Sequence, residues 1–458
     1  MMNNELRPYE GYKPTNLPWL DEIPKHWSLS RNKNVMIQNK SLVGLNHTQY
    51  KLLSLTLNGV IARDMVNPKG KFPKEFDTYQ VVSEKNLVFC LFDIDETPRT
   101  VGISPMDGMI TGAYTVLKVA NANERFLYYY YLSIDNNKML KPLYTGLRKV
   151  ISADTFLRTK LPIPPRPEQD QIVKYLDHKL FKINKFIKAK KKLIAVLKEQ
   201  KQAIINEAVT KGLDPNVKMK PSGVEWLGDV PEHWECKRIK SVLNNVNENT
   251  TDNTEKQYVG MENIESWSGK VINLDPNFKF ESQAKIFRDG DVLFGKLRPY
   301  LAKVATANFS GVCSGEFLVL RPIQESMLSQ YIENVLRSKK VIDLITSSTY
   351  GAKMPRAEWN FIGNIKIFIP PTSNEQMGIG ERLSASQNSV DDSISTIENE
   401  IQLITEYKNS LISDVVTGKI DVRHIIIDET EEIVLEELEL DEDSGETEEI
   451  LENEEGDE

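Results

Sequence analysis

The sequence predicts an α/β chain made of two pseudo-repeated mixed α/β modules, each followed by a long helix, with the two long helices pairing with each other. Three observations predict it. First, one signature occurs twice: Lys13-Pro14, Trp19-Leu20, Pro24 and His26-Trp27 recur as Lys220-Pro221, Trp226-Leu227, Pro231 and His233-Trp234 at a constant offset. Second, each copy changes character once, at Pro164-Pro165 and Pro370-Pro371, from short mixed segments to a heptad pattern. Proline ends what precedes it and tolerates a helix start after it. Third, the apolar seams of the two heptad stretches keep the same phase.

The repeat extends beyond its signature. Pro8 matches Pro215, while Glu207, Val209-Thr210 and Asp214 match Asp414, Val416-Thr417 and Asp421. Glu168-Gln169 answers Glu375-Gln376. A period this long exceeds the roughly 20 to 50 residues of solenoid units, so each copy is a domain-sized module with its own core. The expected organisation is an N-terminal segment 1–19, a module 20–165, a helix 166–212, a linker 213–226, a module 227–371, a helix 372–420 and a tail 421–458.

Within the modules, Leu87-Val88-Phe89 and Tyr114-Thr115-Val116-Leu117 read as strands, as do Val271-Ile272, Asp291-Val292-Leu293-Phe294 and Phe317-Leu318-Val319-Leu320. Thr111-Gly112-Ala113-Tyr114 aligns with Ser314-Gly315-Glu316-Phe317. Residues 45–80 and 252–287 diverge most, so one framework carries two different loop sets. In the first helix the apolar seam runs through Leu176, Leu180, Ile183, Ile187, Ile194, Leu197 and Ile204. In the second it runs through Ile394, Ile397, Ile401, Ile404 and Leu411, and a lysine falls in register at Lys201 and Lys408. Residues 168–207 hold ten Lys against five acids, and 375–414 hold two basic residues against eight acids, which favours pairing within the chain over a coiled coil between chains. About 40 residues at 1.5 Å each make a spacer of roughly 60 Å.

The net charge of −9 hides a basic body. Residues 428–458 carry 18 of the 66 acids and no Lys or Arg, so the remainder has 57 basic residues against 48 acidic ones. A basic body suits a polyanion, and the self-repelling acidic tail is expected to be disordered. No stretch of 18 apolar residues and no apolar leader occurs, so a cytoplasmic chain without a membrane span is expected. Cys90, Cys236 and Cys313 lack metal or disulfide spacing and are expected to act as small buried hydrophobes. Phosphate loops, nucleotide fingerprints, the methyltransferase tetrad and H-E-x-x-H are absent from the sequence, which argues against an enzyme. His26 and His233 fit a role in packing or capping the Pro-x-His-Trp turn better than acid-base chemistry. Asp93 and Asp95 have no counterparts in the second copy, where Leu297 and Pro299 lie nearby.

Candidate nucleic-acid contacts are Arg63, Lys69, Lys71, Lys74, Arg148 and Lys149 in the first copy, and Lys296, Arg298, Tyr300, Lys303, Lys353 and Arg356 in the second. Lys and Arg neutralise phosphates, and Arg also pairs with guanine in the major groove. Twin W-L-x-x-x-P-x-H-W openings, paired prolines, Glu-Gln and a long helix ending in Val-Thr together resemble the specificity subunit of type I restriction-modification systems over residues 8 to 421. The resemblance implies that 20–165 and 227–371 are target recognition domains, each reading half of a split site on double-stranded DNA. It implies an antiparallel coiled coil that spaces them and docks adenine methyltransferase subunits, two of them, with restriction/translocase subunits as further partners. It also implies no catalytic centre, metal or cofactor in this chain; S-adenosylmethionine, ATP and magnesium would belong to the partners. The competing expectation is a coiled-coil scaffold or adaptor whose modules bind protein instead of DNA.

Overall fold

The computed structural model describes residues 6–65, 76–144, 149–251, 257–275, 278–280, 283–324, 327–349 and 354–427. They form two compact units, one drawn from 1–189 and 399–458, the other from 190–398.

The first unit opens on a hairpin, Tyr12–Leu17 against Leu20–Pro24. Strand Ser28–Arg31 then pairs antiparallel with Lys160–Ile163, so the module's entry and exit are neighbours. Its central sheet is antiparallel, in the order Met36–Gln38, Thr115–Val119, Leu87–Phe89 and Val101–Ile103. Side chains alternate across a strand, and here both faces are covered. Leu87, Phe89 and Leu117 face a core with Trp27, Phe126, Tyr131 and Phe156. Val88 and Val116 face Leu53, Val60, Val82 and Ile110 on the other side. That is why the Leu-Val-Phe run is uninterruptedly apolar. Helix Glu124–Asn136 supplies the first face, and its Asn123 cap accepts hydrogen bonds from the amides of Arg125 and Phe126. The second face carries the hairpin Leu53–Thr56/Gly59–Ala62 and the pair Gln80–Val82/Gly108–Ile110.

The second unit repeats this frame. Glu235–Arg238 pairs with Lys366–Ile369, and the central sheet runs Leu243–Val246, Phe317–Pro322, Val292–Gly295 and Val304–Thr306. Val292, Phe294, Leu318 and Leu320 turn to one core, and Leu293, Phe317 and Val319 to another. Its other layer differs: Asn249–Thr250, Ala284–Phe287, Gly311–Cys313 and Tyr258–Val259 form one sheet with a parallel pairing. Val271-Ile272 is not the expected strand but a single bridge to Ile264, because the Asn263 side chain takes the Ile272 and Asn273 carbonyls. Cys90 and Cys313 are buried, and burial pushes the Cys313 thiol up to about 12. Cys236, contrary to expectation, is exposed, since it lies on the outward side of a two-stranded pair.

The long helices are Arg166–Lys211 and Ser373–Val416, each starting just beyond its paired prolines. Gly212 (φ 76°) and Gly418 (φ 79°) follow their C-termini in the left-handed conformation that terminates helices. In the first unit Leu176, Leu180 and Ile183 share a core with Leu411, Ile412 and Val415, with Ile187 and Ile404 packed at its edge. In the second unit Ile205, Ala208 and Val209 share a core with Ile379 and Leu383, with Ile204 beside them. Ile394 and Ile397 are buried, while Ile194, Leu197 and Ile401 are half-buried.

Polar residues punctuate the seam. Lys408 Nζ donates to Asn184 Oδ1 at 2.8 Å in the first unit, and Lys201 Nζ contacts Asp391 Oδ1 at 2.6 Å in the second. Numbers rise along one helix as they fall along the other, so the pairing is antiparallel. The repeat offset that carries Lys201 to Lys408 also carries Asn184 to Asp391. One seam contact is therefore made twice, as an ion pair once and as a neutral-acceptor hydrogen bond once. A lone polar pair in an apolar seam fixes register, because a slipped helix would bury it unpaired. Beyond the second helix, the Asp421 amide donates to the Arg7 carbonyl at 2.8 Å, so the chain's return meets its beginning.

Candidate nucleic-acid interface

Each module is seated on its helix by the repeated signature. Glu168, in the first turn of the first long helix, accepts from Trp27 Nε1 at 2.9 Å and from the Tyr9 hydroxyl at 2.6 Å, while its other oxygen lies 2.8 Å from His26 Nε2. Burial and this carboxylate push the Tyr9 hydroxyl well above its ordinary range. Glu375 likewise takes Trp234 Nε1 at 2.8 Å and His233 Nε2 at 3.0 Å. The next residue extends the joint. Gln169 donates to the Pro164 carbonyl and accepts from the Asn123 amide, and Gln376 donates to the Pro370 carbonyl and accepts from the Leu328 amide. The histidines thus pack the turn as expected, and they also hold the helix start, which was not expected. The signal was present: both His–Glu pairs are 142 residues apart.

Among the candidate contacts, Lys69, Lys71, Lys74, Arg148 and Lys353 lie outside the described residues. Arg63 is half-buried just after a strand, its amide donating to the Leu52 carbonyl. Lys149 is turned to internal use, 3.1 Å from Asp95 and 2.5 Å from Glu96, and these acids hold its ammonium well above its ordinary range. The Tyr144 hydroxyl and then Lys149 hold Asp95 below the usual carboxylate range. Lys303 also serves the fold. It donates to the Met261 carbonyl at 2.7 Å, and burial lowers its pKa.

The structure brings the other four candidates together. Lys296, Arg298 and Tyr300 follow the central strand Val292–Gly295, and Arg356 comes alongside through a bridge to Leu297. The Arg298 amide donates to the Pro355 carbonyl, and the Ala357 amide to the Lys296 carbonyl. Arg298 and Tyr300 are exposed, and Arg356 pairs with Glu316 at 2.9 Å. The first unit has the same loop geometry. Phe92 bridges Val150, the Asp93 amide donates to the Lys149 carbonyl and the Ile151 amide to the Leu91 carbonyl. Asp93 (φ 43°) and Arg298 (φ 50°) thus hold the same left-handed position with opposite charge. Sequence spacing had set Asp93 and Asp95 near Leu297 and Pro299; the backbone places Asp93 against Arg298 instead. No helix among the described residues is long and apolar enough to cross a membrane, and no His, Cys, Asp or Glu group among them could hold a metal.

Two α/β modules built on one central-sheet frame, each seated on a long helix and carrying divergent loops, define a duplicated-module class of protein. The family described as type I restriction modification DNA specificity domain matches residues 101–198 and 231–403, and the chain belongs to that family. It is 23% identical over 438 residues to the putative type I restriction enzyme MjaX specificity subunit of Methanocaldococcus jannaschii, covering 90% of this chain and 97% of that one. It is 24% identical over 291 residues to the MjaVIII specificity subunit of the same organism, covering 59% of this chain and 64% of that one. A chain from the solved structure of a type I R-M system, 14% identical, superposes with a TM-score of 0.61 over 87% of this chain and 99% of its own, a likeness of fold.

Proposed function

We propose that this chain is the DNA-binding specificity subunit of a type I restriction-modification complex, acting in the cytoplasm and catalysing nothing itself. Residues 20–165 and 227–371 are its target recognition domains, each reading one half of a bipartite site on double-stranded DNA. The helix pair sets the gap between the halves and docks two adenine methyltransferase subunits, with restriction/translocase subunits completing the complex. Methyl transfer and ATP-driven cleavage, with S-adenosylmethionine, ATP and magnesium, belong to those partners.

One observation carries this reading: the two modules share the strand order of their central sheet but present different side chains on the same loop, Asp93 in one and Arg298 in the other. A common frame with opposite charges at one place is what two different half-sites require. Arg298 can donate to guanine, whereas a carboxylate such as Asp93 can accept from the amino group of cytosine. A coiled coil that sets the gap between two readers suits the geometry of B-DNA, on which readers on one face sit about one turn, roughly 34 Å, apart.

Mapping N6-methyladenine in cells with and without the gene tests the reading. Loss of one split motif supports it, and exchanging residues 20–165 for those of another family member should then change one half-site only. Binding to DNA should weaken steeply between about 50 and 200 mM salt. A map unchanged by deleting the gene from a methylating strain would overturn it.

A further inference from the structure

The joint between module and long helix is built differently in the two units. Gln169 and Gln376 align the long helices, and the amides they hold, Asn123 and Leu328, align the module helices. Positions occupied by Arg125, Tyr128, Tyr129 and Leu132 in the first unit are Gln330, Glu333, Asn334 and Arg337 in the second. On the long helix, Asp177, Leu180 and Phe181 correspond to Ser384, Gln387 and Asn388. The first joint is closed: Leu132 and Leu180 are buried, and Asp177 takes the Tyr129 hydroxyl and Arg125 at 2.8 Å. The fold therefore does not need a buried guanidinium here, since Leu132 stands where Arg337 does.

In the second unit the same place is a polar cavity of about 230 Å³ lined by Ser268, Gln330, Asn334, Arg337, Gln387 and Asn388, among others. Arg337 is only 2% exposed. Its Nη2 is held by Asn334 Oδ1 at 3.1 Å and Gln387 Oε1 at 3.2 Å, but Nε and Nη1 have no hydrogen-bond partner among the described residues. Glu333, 3.3 Å from Nη1, is its charge partner. Across the cavity Asp391 lies between Lys201 and Lys270. In the lining Arg337 is matched by Glu333 and Lys270 by Asp391, with Lys201 outside it on the far side of Asp391, so what is left over is the pair of idle guanidinium donors. Gly269 (φ 75°) walls this pair in, since a Cβ there would stand 2.1 Å from Arg337 Nη1. A buried guanidinium with idle donors is strongly unfavourable unless something completes its shell.

We propose that this cavity binds a small molecule bearing an oxyanion, a carboxylate or a phosphate, seated against Arg337 and hydrogen-bonded by the surrounding amide side chains. The volume falls below the roughly 300–1,000 Å³ of drug-sized pockets, so the ligand is small. Bound, it ties the second module to its helix as the Tyr129–Asp177 contact ties the first.

Titrating the full chain with sodium phosphate and with sodium succinate at constant ionic strength, against sodium chloride, and following the melting midpoint tests this. The expected result is a saturable rise with one of the two, the responding anion identifying which oxyanion is bound. Arg337→Leu and Asn388→Phe, each installing the first unit's residue, should weaken it at least about tenfold, or 1.4 kcal/mol. Asn388 is exposed at the rim, so its variant folds even if Arg337→Leu does not. No saturable rise with either anion, or an unchanged titration in Asn388→Phe, overturns the proposal.

Discussion

Glu168 and Glu375 occupy the same place in the repeat, yet removing them should not cost the same. Glu168 is 6% exposed and satisfies three donors, of which the Trp27 indole and the Tyr9 hydroxyl are themselves buried. Each buried donor left unpaired costs about 1–3 kcal/mol, so Glu168→Ala should lose about 2–6 kcal/mol. At the other joint only the Trp234 indole is buried, His233 is 44% exposed and Asn216 stands where Tyr9 would be. Glu375→Ala should therefore lose about 1–3 kcal/mol. Glu168→Gln keeps an acceptor for Trp27 and Tyr9 and should fall between wild type and Glu168→Ala. Urea unfolding followed by tryptophan fluorescence reads all three, because Trp27 and Trp234 sit at the joints. Equal losses at the two joints, or a Gln variant as damaged as Ala, would refute the argument from unpaired donors.

Asp391 should make stability depend on acid. Burial works to raise its pKa, but hydrogen bonds from Lys201 and Lys270 outweigh it and hold the carboxyl below the usual carboxylate range. A folded pKa below the unfolded one means that this stabilisation is present above about pH 4 and is lost as pH falls through the lower folded value. Asp391→Asn should then cost about 1–3 kcal/mol at pH 7 and progressively less as the pH falls through the lowered folded value, read by denaturation across pH. Gly418→Ala should be worse than Gly212→Ala in thermal melting. Both residues are left-handed, costing about 1–2 kcal/mol for any Cβ, but at 418 that atom would also lie 2.4 Å from Pro24, against 3.3 Å from Trp234 at 212. Arg298→Ala should relax specificity at one position of one half-site by about 1–3 kcal/mol, seen as a broadened methylation motif, and leave the other half unchanged.

Much of the framework was legible because its signals are periodic. The seam from Leu176 to Ile204 and from Ile394 to Leu411 repeats every 3.5 residues, and the offset that aligns Trp27 with Trp234 survives small insertions. Leu87-Val88-Phe89 read as a strand because a doubly covered strand is apolar throughout, although which face each residue took could not be read. Val271-Ile272 misled because two adjacent apolar residues fit a loop pinned by Asn263 as well as a strand. Cations were least legible. Lys149, Lys303 and Arg298 look alike in sequence, yet the first meets two acids, the second holds a backbone carbonyl and the third is exposed. Those differences depend on Asp95, Glu96 and Met261, whose proximity arises only on folding.

The seating of each module by the His-Trp pair on a helix-start glutamate has a bearing on how such a chain can change. Placement is settled by residues at the module's threshold, Trp27 with Glu168 and Trp234 with Glu375, none of which belongs to the divergent loops. Substitutions in those loops can accumulate without disturbing the joint that seats each module on its helix.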